Sequence, residues 1–512
     1  MRKAVMTILP LLAGLCLYAG QGHPLPAESS IRAVYVNDGS GWRQVKAYDA
    51  LCSDSPSYHG YMWNDWDNSR EYRDTMSFAL VQHDFESPLS VRVVSRDVFS
   101  SVSVRPTAYG IKPEMIDSHT VEFSIEDYSR RKVSVEFDGD RYSNLFLFCD
   151  RPDAVKPPEA DSKVHYFGPG EHNPGKIVLK SGETLYIDSG ALVYGRVSVE
   201  GDNCRIAGQG ILAGSQLPHW GTQWACGDIL LECNPARKPA RKSLTVEDIT
   251  IVDSPNWTLS VFNYSDVHID NINMINWILN GDGIDLVCVD GAEIKDCFIR
   301  CYDDCISLKV RHNANPMSDL RNIRVSGCTI WSDFARGIVI GPEAGNSSVS
   351  SGTISDCAVE DCVFLEHATI AERDDVRGAF AIHQVKSPDW KSGVPPVMSG
   401  ISARNLTFDN MNPSGRAIVI AQDESSEGAG LIDGVEIDGV EIIDSGEAGI
   451  SALEVNSNHN EMRNIVLKNI NRTGRPIIPR NWKSEVSGND VDIESPASDV
   501  RIRGNVDIKI KR

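Results

Sequence analysis

The sequence predicts an all-β chain in two parts: an N-terminal β-sandwich domain followed by a long parallel β-helix. Three observations predict it. Apolar residues alternate with period two through most of the 512 residues, a short motif recurs, its first five copies at intervals of 23 to 34 residues, and a linker rich in Pro, Asp and Lys around residues 151–162 separates two differently patterned regions.

At 512 residues the chain exceeds one ordinary domain, and 41% hydrophobic with 24% charged residues is a globular composition, neither disordered nor membrane-embedded. Residues 1–22 read as a signal peptide: Arg2 and Lys3, an apolar run over 4–18, then the small residues Ala19, Gly20 and Gly22. A secreted or periplasmic protein is expected. Leu15 before Cys16 is larger than a lipoprotein cleavage site accepts, which argues against a lipid anchor. No later stretch reaches the roughly 20 apolar residues of a membrane span. Without Arg2 and Lys3, 48 basic against 71 acidic residues leave about −23. That charge excludes nucleic acid as a partner, and an acidic ligand would need a local basic pocket.

The sandwich is assigned to residues 27–155 on short alternating segments such as Ser90-Val-Arg-Val-Val94, Val121-Glu-Phe-Ser124 and Val133-Ser-Val-Glu-Phe137. Tyr58, Tyr61, Trp63 and Trp66 cluster within it, and core or interface packing is expected of them ahead of sugar contact.

Residues 160–512 carry the repeat. A strand ending in an apolar residue is followed by one residue, then Asp, Asn or Gly, then an apolar residue. Copies place that turn residue at Asp248, Asn271, Asp296, Gly327 and Asp361, at intervals of 23, 25, 31 and 34, and later at Asn405, Gly439 and Asn469. One coil of a solenoid with loops inserted at a corner has this length, and period two excludes helical repeats. Asp, Asn and Gly suit the bend because they tolerate left-handed backbone. Further strands, Gly283-Ile-Asp-Leu286, Cys305-Ile-Ser-Leu-Lys309, Gly337-Ile-Val-Ile340 and Ala417-Ile-Val-Ile420, give each coil several strands. Tyr186-Ile187, Ala191-Leu-Val193 and Arg205-Ile206 open the solenoid, and Val500-Arg-Ile502 with Val506-Asp-Ile508 is expected to cap its far end. Cys297, Cys328 and Cys362 share one place in successive repeats. An inward stack of small side chains is the expectation, with a metal site or disulfide ladder as alternatives.

The chemistry lies where two coils put acids on the same strand: Asn280-Gly-Asp282-Gly-Ile-Asp285, then Asp303-Asp304-Cys-Ile-Ser-Leu-Lys309. The separation of 21 or 22 residues is about one coil, so Asp282 is expected beside the Asp303-Asp304 pair. Carboxylates that close repel, raise one another's pKa and disfavour folding; function is the usual reason to keep them. An inverting glycosidase uses such a set, one carboxyl protonated and another ionised to activate water. Turn capping or Ca²⁺ binding would be the alternative uses.

These motifs, with Ser254-Pro-Asn-Trp257-Thr-Leu and Arg336-Gly-Ile-Val-Ile-Gly341, resemble the polygalacturonases and related family 28 glycoside hydrolases, over roughly residues 167–420. The related dextranase and isopullulanase family shares the fold and carries an N-terminal β-sandwich. The resemblance implies a right-handed, pectin-lyase-like β-helix that hydrolyses a polysaccharide or oligosaccharide, acts as a monomer, and needs no metal or cofactor. It implies Asp303 as general acid, Asp282 and Asp304 as the groups that hold and deprotonate water, and Asp285 and Lys309 as subsite neighbours. Ala335-Arg336-Gly337 stands where polygalacturonases have Gly-His-Gly, and their Arg-Ile-Lys uronate grip is replaced by Gly378-Ala-Phe-Ala-Ile-His383. Arg336 and His383 are thus candidate substrate contacts, with Asp333 or Glu343 as alternative partners for Arg336. Loops 344–354 and 423–428 are candidates to close the groove and enforce terminal attack. The expected substrate is pectic; competing readings are a dextranase-like hydrolase of a neutral glucan, a Ca²⁺-dependent β-helix lyase with Arg336 as base, and a non-catalytic glycan-binding β-helix.

Overall fold

The computed structural model describes residues 26–52, 74–152, 154–159, 161–217, 228–237, 239–278, 280–310, 319–342, 352–367, 377–384, 396–411, 415–422, 430–444, 451–458, 460–477, 484–494 and 500–511. Tyr58, Tyr61, Trp63, Trp66, Glu343 and most of the two candidate gating loops lie outside them.

The N-terminal strands form two sheets. One has six strands in the order Ala27–Glu28, Ala47–Cys52, Asp74–Gln82, Asp140–Asp150, Lys132–Phe137 and Val102–Arg105; the other has five, built around Arg32–Asn37, Leu89–Ser95 and Thr120–Ile125. Alternation explains the packing. Val34, Val36, Val91, Val93, Val121 and Phe123 face Val133, Val135, Leu145 and Leu147 across the sandwich. The run Leu145-Phe-Leu-Phe-Cys149 is apolar at every position because the six-stranded sheet is covered on both faces. Leu145, Leu147 and Cys149 point into the sandwich, while Phe146 and Phe148 join Phe298, Trp331, Tyr302 and Phe334 of the second part.

That second part is a single 30-stranded solenoid from Val164–Phe167 to Val500–Lys511, its successive coils paired in parallel. Parallel crossovers wind right-handed, giving a right-handed parallel β-helix. Its first face runs through Leu259–Phe262, Ile284–Val287, Ile306–Lys309, Ile338–Ile340 and Phe380–Gln384. The second runs through Tyr264–Asp270, Asp290–Lys295, Leu320–Ser326 and Thr353–Glu360. A third, Thr250–Val252 through Val363–His367, receives the sandwich, and it merges with the second at Val397–Asp409.

All eight turn residues named from the repeat have φ between +50° and +75°. They turn the chain from the second face to the third, and amide side chains link them along the axis, Asn271 Nδ2–H donating to Asp248 Oδ1 at 2.6 Å and Asn405 to Asp361 at 3.0 Å. At Gly327 a Cβ would sit 2.5 Å from Asp296 Oδ1, so this rung needs glycine for space as well as for φ. Cys297, Cys328 and Cys362 are buried free thiols in the core. The chain's end differs from expectation: Val500–Lys511 is itself the last parallel rung, and Glu485–Glu494 covers it as an antiparallel neighbour.

Polar anchors fix the sandwich to the solenoid. Arg105 Nη1–H donates to the Leu365 and Asp409 carbonyls, the Leu51 amide donates to Asp253 Oδ1, and Asp150 accepts from Asn271. Arg300 is fully buried, pairs with both Asp333 oxygens at 2.9 and 3.0 Å, and reaches Asn144 of the sandwich. Removing one partner of such a pair leaves a buried charge. Arg300→Met is therefore expected to cost about 3–5 kcal/mol, with Asp333→Asn recovering part of it, read as the urea midpoint of each variant. An unchanged midpoint in Arg300→Met would contradict this.

Candidate active site

Parallel register assembles the site. Ile284 pairs with Ile306 and Ile306 with Ile338, so the residues two positions earlier, Asp282, Asp304 and Arg336, occupy one place in three successive coils. The Gly283 amide donates to the Asp304 carbonyl at 2.8 Å and the Cys305 amide to the Arg336 carbonyl at 2.9 Å. Neighbouring strands are about 4.8 Å apart, so a 22-residue separation becomes adjacency. Asp303 precedes this column by one residue, and its Oδ1 accepts the Asp304 amide at 3.1 Å.

Asp282 and Asp304 are each only 3% exposed, so each carboxylate needs compensation. Lys309 Nζ lies 2.9 Å from Asp282 Oδ2, and Arg336 Nη1–H donates to both oxygens of Asp304 at 3.1 and 3.0 Å. Burial pushes the Asp303 carboxyl up to about 6, with the Asp304 charge adding to it against Arg377, Arg336 and Lys309. Burial also holds Asp282 well above the usual carboxylate range, Lys309 opposing and Asp285, Asp303 and Asp304 adding.

Asp285 and Lys309 lie beneath the carboxylates, 0% and 1% exposed. Lys309 Nζ is 2.8 Å from Asp285 Oδ1 and 4.1 Å from the Trp257 ring centroid, and Ser260 Oγ–H donates to Asp285 at 3.3 Å. Arg336 pairs with Asp304, while Asp333 belongs to Arg300. His383 continues the column of Lys309 two coils on, with Gly341 between them. It is 3% exposed, neither ring nitrogen meets a hydrogen-bond partner among the described residues, and burial followed by Arg336 and Arg377 holds it neutral.

Two neighbours escape a reading of the sequence. Arg377 stacks on Phe334 with 4.6 Å to the ring centroid and acts electrostatically on Asp303. Buried His367 has its pKa lowered to about 3, by burial and then by Arg377, Arg416 and Arg336. The signal for Arg377 is its place before Gly378, in phase with Ala335 before Arg336, but a long insertion precedes it and hides the phase.

Residues 201–369 match the profile of Glycosyl hydrolases family 28, a span that includes Asp282, Asp285, Asp303, Asp304, Lys309 and Arg336. Exopolygalacturonase X-2 of Emericella nidulans is 26% identical over 233 residues, 43% of this chain and 46% of the relative. A probable polygalacturonase of Vitis vinifera is 23% identical over 266 residues, covering 46% and 52%. The chain thus spans about half the length of these relatives. Dex49A from Penicillium minioluteum superposes with a TM-score of 0.55 over 81% of this chain and 89% of its own, at 14% identity, which shows a shared fold. The likeness to polygalacturonase-type glycoside hydrolases drawn from the motifs is borne out.

The fold retains the Asp303 proton up to about pH 6, whereas an unfolded aspartate releases its proton near pH 4, so the folded state binds more protons over that interval. This contribution to stability is greatest below about pH 4 and is lost as pH rises through 6. The melting-temperature difference between wild type and Asp303→Asn is expected to change between those pH values and be flat above about 7; a difference constant from pH 4 to 7 would refute the assignment.

Proposed function

We propose that this protein is an exported, inverting glycoside hydrolase acting on an acidic, pectic polysaccharide. The observation that carries the reading is the convergence of three carboxyl groups on adjacent coils: Asp303, pushed up to about 6 by burial, stands beside Asp304, paired with Arg336, and Asp282, paired with Lys309. Acid–base glycoside cleavage needs a carboxyl that can hold a proton close to a second carboxyl group that activates water, and Asp303 pushed up to about 6 suits the first role. Asp303 donates its proton to the glycosidic oxygen. Asp304 and Asp282 hold a water and take its proton as it attacks the anomeric carbon from the opposite side, so configuration inverts. The matched family profile and the names of the polygalacturonase relatives support glycoside hydrolysis.

An acidic sugar is favoured by local charge. The chain carries −21 overall, yet Arg336 and Arg377 lie beside Asp303, close to neutral His367 and His383. Arginines placed there in an acidic protein suit a uronate carboxylate. Arg336 is bound to Asp304, which makes it unsuited to serve as the base of a lyase. Export rests on the signal-like residues 1–22.

Reducing-sugar release from pectic polysaccharides, dextran and pullulan tests the proposal, with and without EDTA. Wild type is expected to act on the pectic substrates regardless of chelator, and Asp303→Asn to lose at least about 10³-fold. Activity should fall as pH rises through about 6, because the acid must be protonated. Proton NMR should detect the inverted anomer first. A chelator-sensitive reaction with an ultraviolet-absorbing product would replace the hydrolase by a lyase, and no turnover on any glycan would leave a binding protein.

A further inference from the structure

Lys309 is 1% exposed, and every described contact of its ammonium is internal: Asp282 at 2.9 Å, Asp285 at 2.8 Å and the face of Trp257 at 4.1 Å. Asp285 is 0% exposed and accepts from Ser260 of the preceding coil. A side chain enclosed in this way offers substrate no surface. We infer that Lys309 is a positioning residue, which fixes the orientation and charge of the Asp282 carboxylate while Asp285 anchors the ammonium from the opposite side. The inference rests on the hydrolase reading above and adds a part to it.

The geometry supports this in two ways. Lys309 stands one coil after the Asp282-Gly-Ile-Asp285 segment, its backbone paired with Val287, so its chain reaches back across the rung to both acids of the neighbouring coil. A lone ammonium beside one carboxylate can swing, but one held between two carboxylates and an indole has its position fixed, and with it the partner oxygen. The second support is the charge count. Asp282 is faced by Lys309, Asp285, Asp303 and Asp304, with the Cys301 thiol nearby, so Lys309 is the one cation among these groups and the one that opposes the upward push of burial and the neighbouring acids on Asp282.

The two buried partners therefore act on Asp282 with opposite sign, and this makes the inference testable. Without Lys309, Asp282 protonates more readily, so the acid-side limb of the kcat/KM profile moves to higher pH. Without the Asp285 charge, Asp282 is relieved of a repelling neighbour and the limb moves to lower pH. A purely structural role would lower the melting temperature of both variants and leave both limbs in place.

The experiment compares Lys309→Met, Asp285→Asn and Asp303→Asn on the pectic substrate that wild type hydrolyses fastest. Lys309→Met is expected to move the limb up by about one pH unit and to lower kcat at neutral pH by on the order of 10²-fold, with KM within about threefold. Asp285→Asn, nearly isosteric, should move the limb the other way and carries the test if Lys309→Met fails to fold. Limbs unmoved in the soluble variants, or a rise in KM with kcat unchanged, would overturn the inference. Full activity in Asp303→Asn would instead remove the hydrolase reading itself, as would wild type that hydrolyses nothing.

Discussion

Parallel stacking in unbroken register forces side chains of successive coils to within about 4.8 Å of one another, and every feature of the site answers to that spacing. An Asp at the same place in two adjacent coils is brought to a distance at which like charges repel strongly and burial raises the cost of each. Arg336 on the third coil and Lys309 beneath the first two are the compensation, Arg336 about 3 Å from Asp304 and Lys309 within about 3 Å of both Asp282 and Asp285. Asp303 stands one residue off the column, its carboxyl pushed up to about 6 by burial and the Asp304 charge.

The wall behind the site is braced from outside. Asp333 holds Arg300 and accepts from Trp331 Nε1, and its amide donates to the Cys301 carbonyl. Ser332 Oγ–H donates to the Asp303 carbonyl and the Cys305 thiol to the Trp331 carbonyl. The third-face strand Thr329–Ser332 thus grips both ends of the corner that carries Asp303 and Asp304. Arg300 reaches through to Asn144, and Phe146 packs on Phe298 and Trp331, so the sandwich backs the same strand. The sandwich is joined to the catalytic corner through hydrogen bonds and packed rings.

Much of this was readable along the chain because a solenoid turns sequence distance into spatial distance. The turn residues at 248, 271, 296, 327, 361, 405, 439 and 469 named each rung, since only residues that accept positive φ recur there. Asp282 and Asp304 fell together because one coil separates them. Arg377 was hidden where insertion length breaks the period, and the partners of Arg336 and Asp333 could be sorted only by position. Arg336 points along its column to Asp304, whereas Asp333 lies past the corner on the third face, toward Arg300. The last strand was read as a cap because an alternating segment at a chain end looks the same whether it continues the solenoid or covers it. Its parallel pairing with Glu461–Arg472 makes the difference.

Architecture, coil length, turn positions and the identity of the clustered acids follow from the order of residues, because they depend on local backbone preference and on a period that is one-dimensional. Only the folded coils show which cation guards which carboxylate, how burial raises Asp282 and Asp303, and that Asp285 and Lys309 lie below the site's surface. Those properties depend on burial and on distances of about 3 Å between side chains of different coils and of the sandwich, which no spacing along the chain encodes.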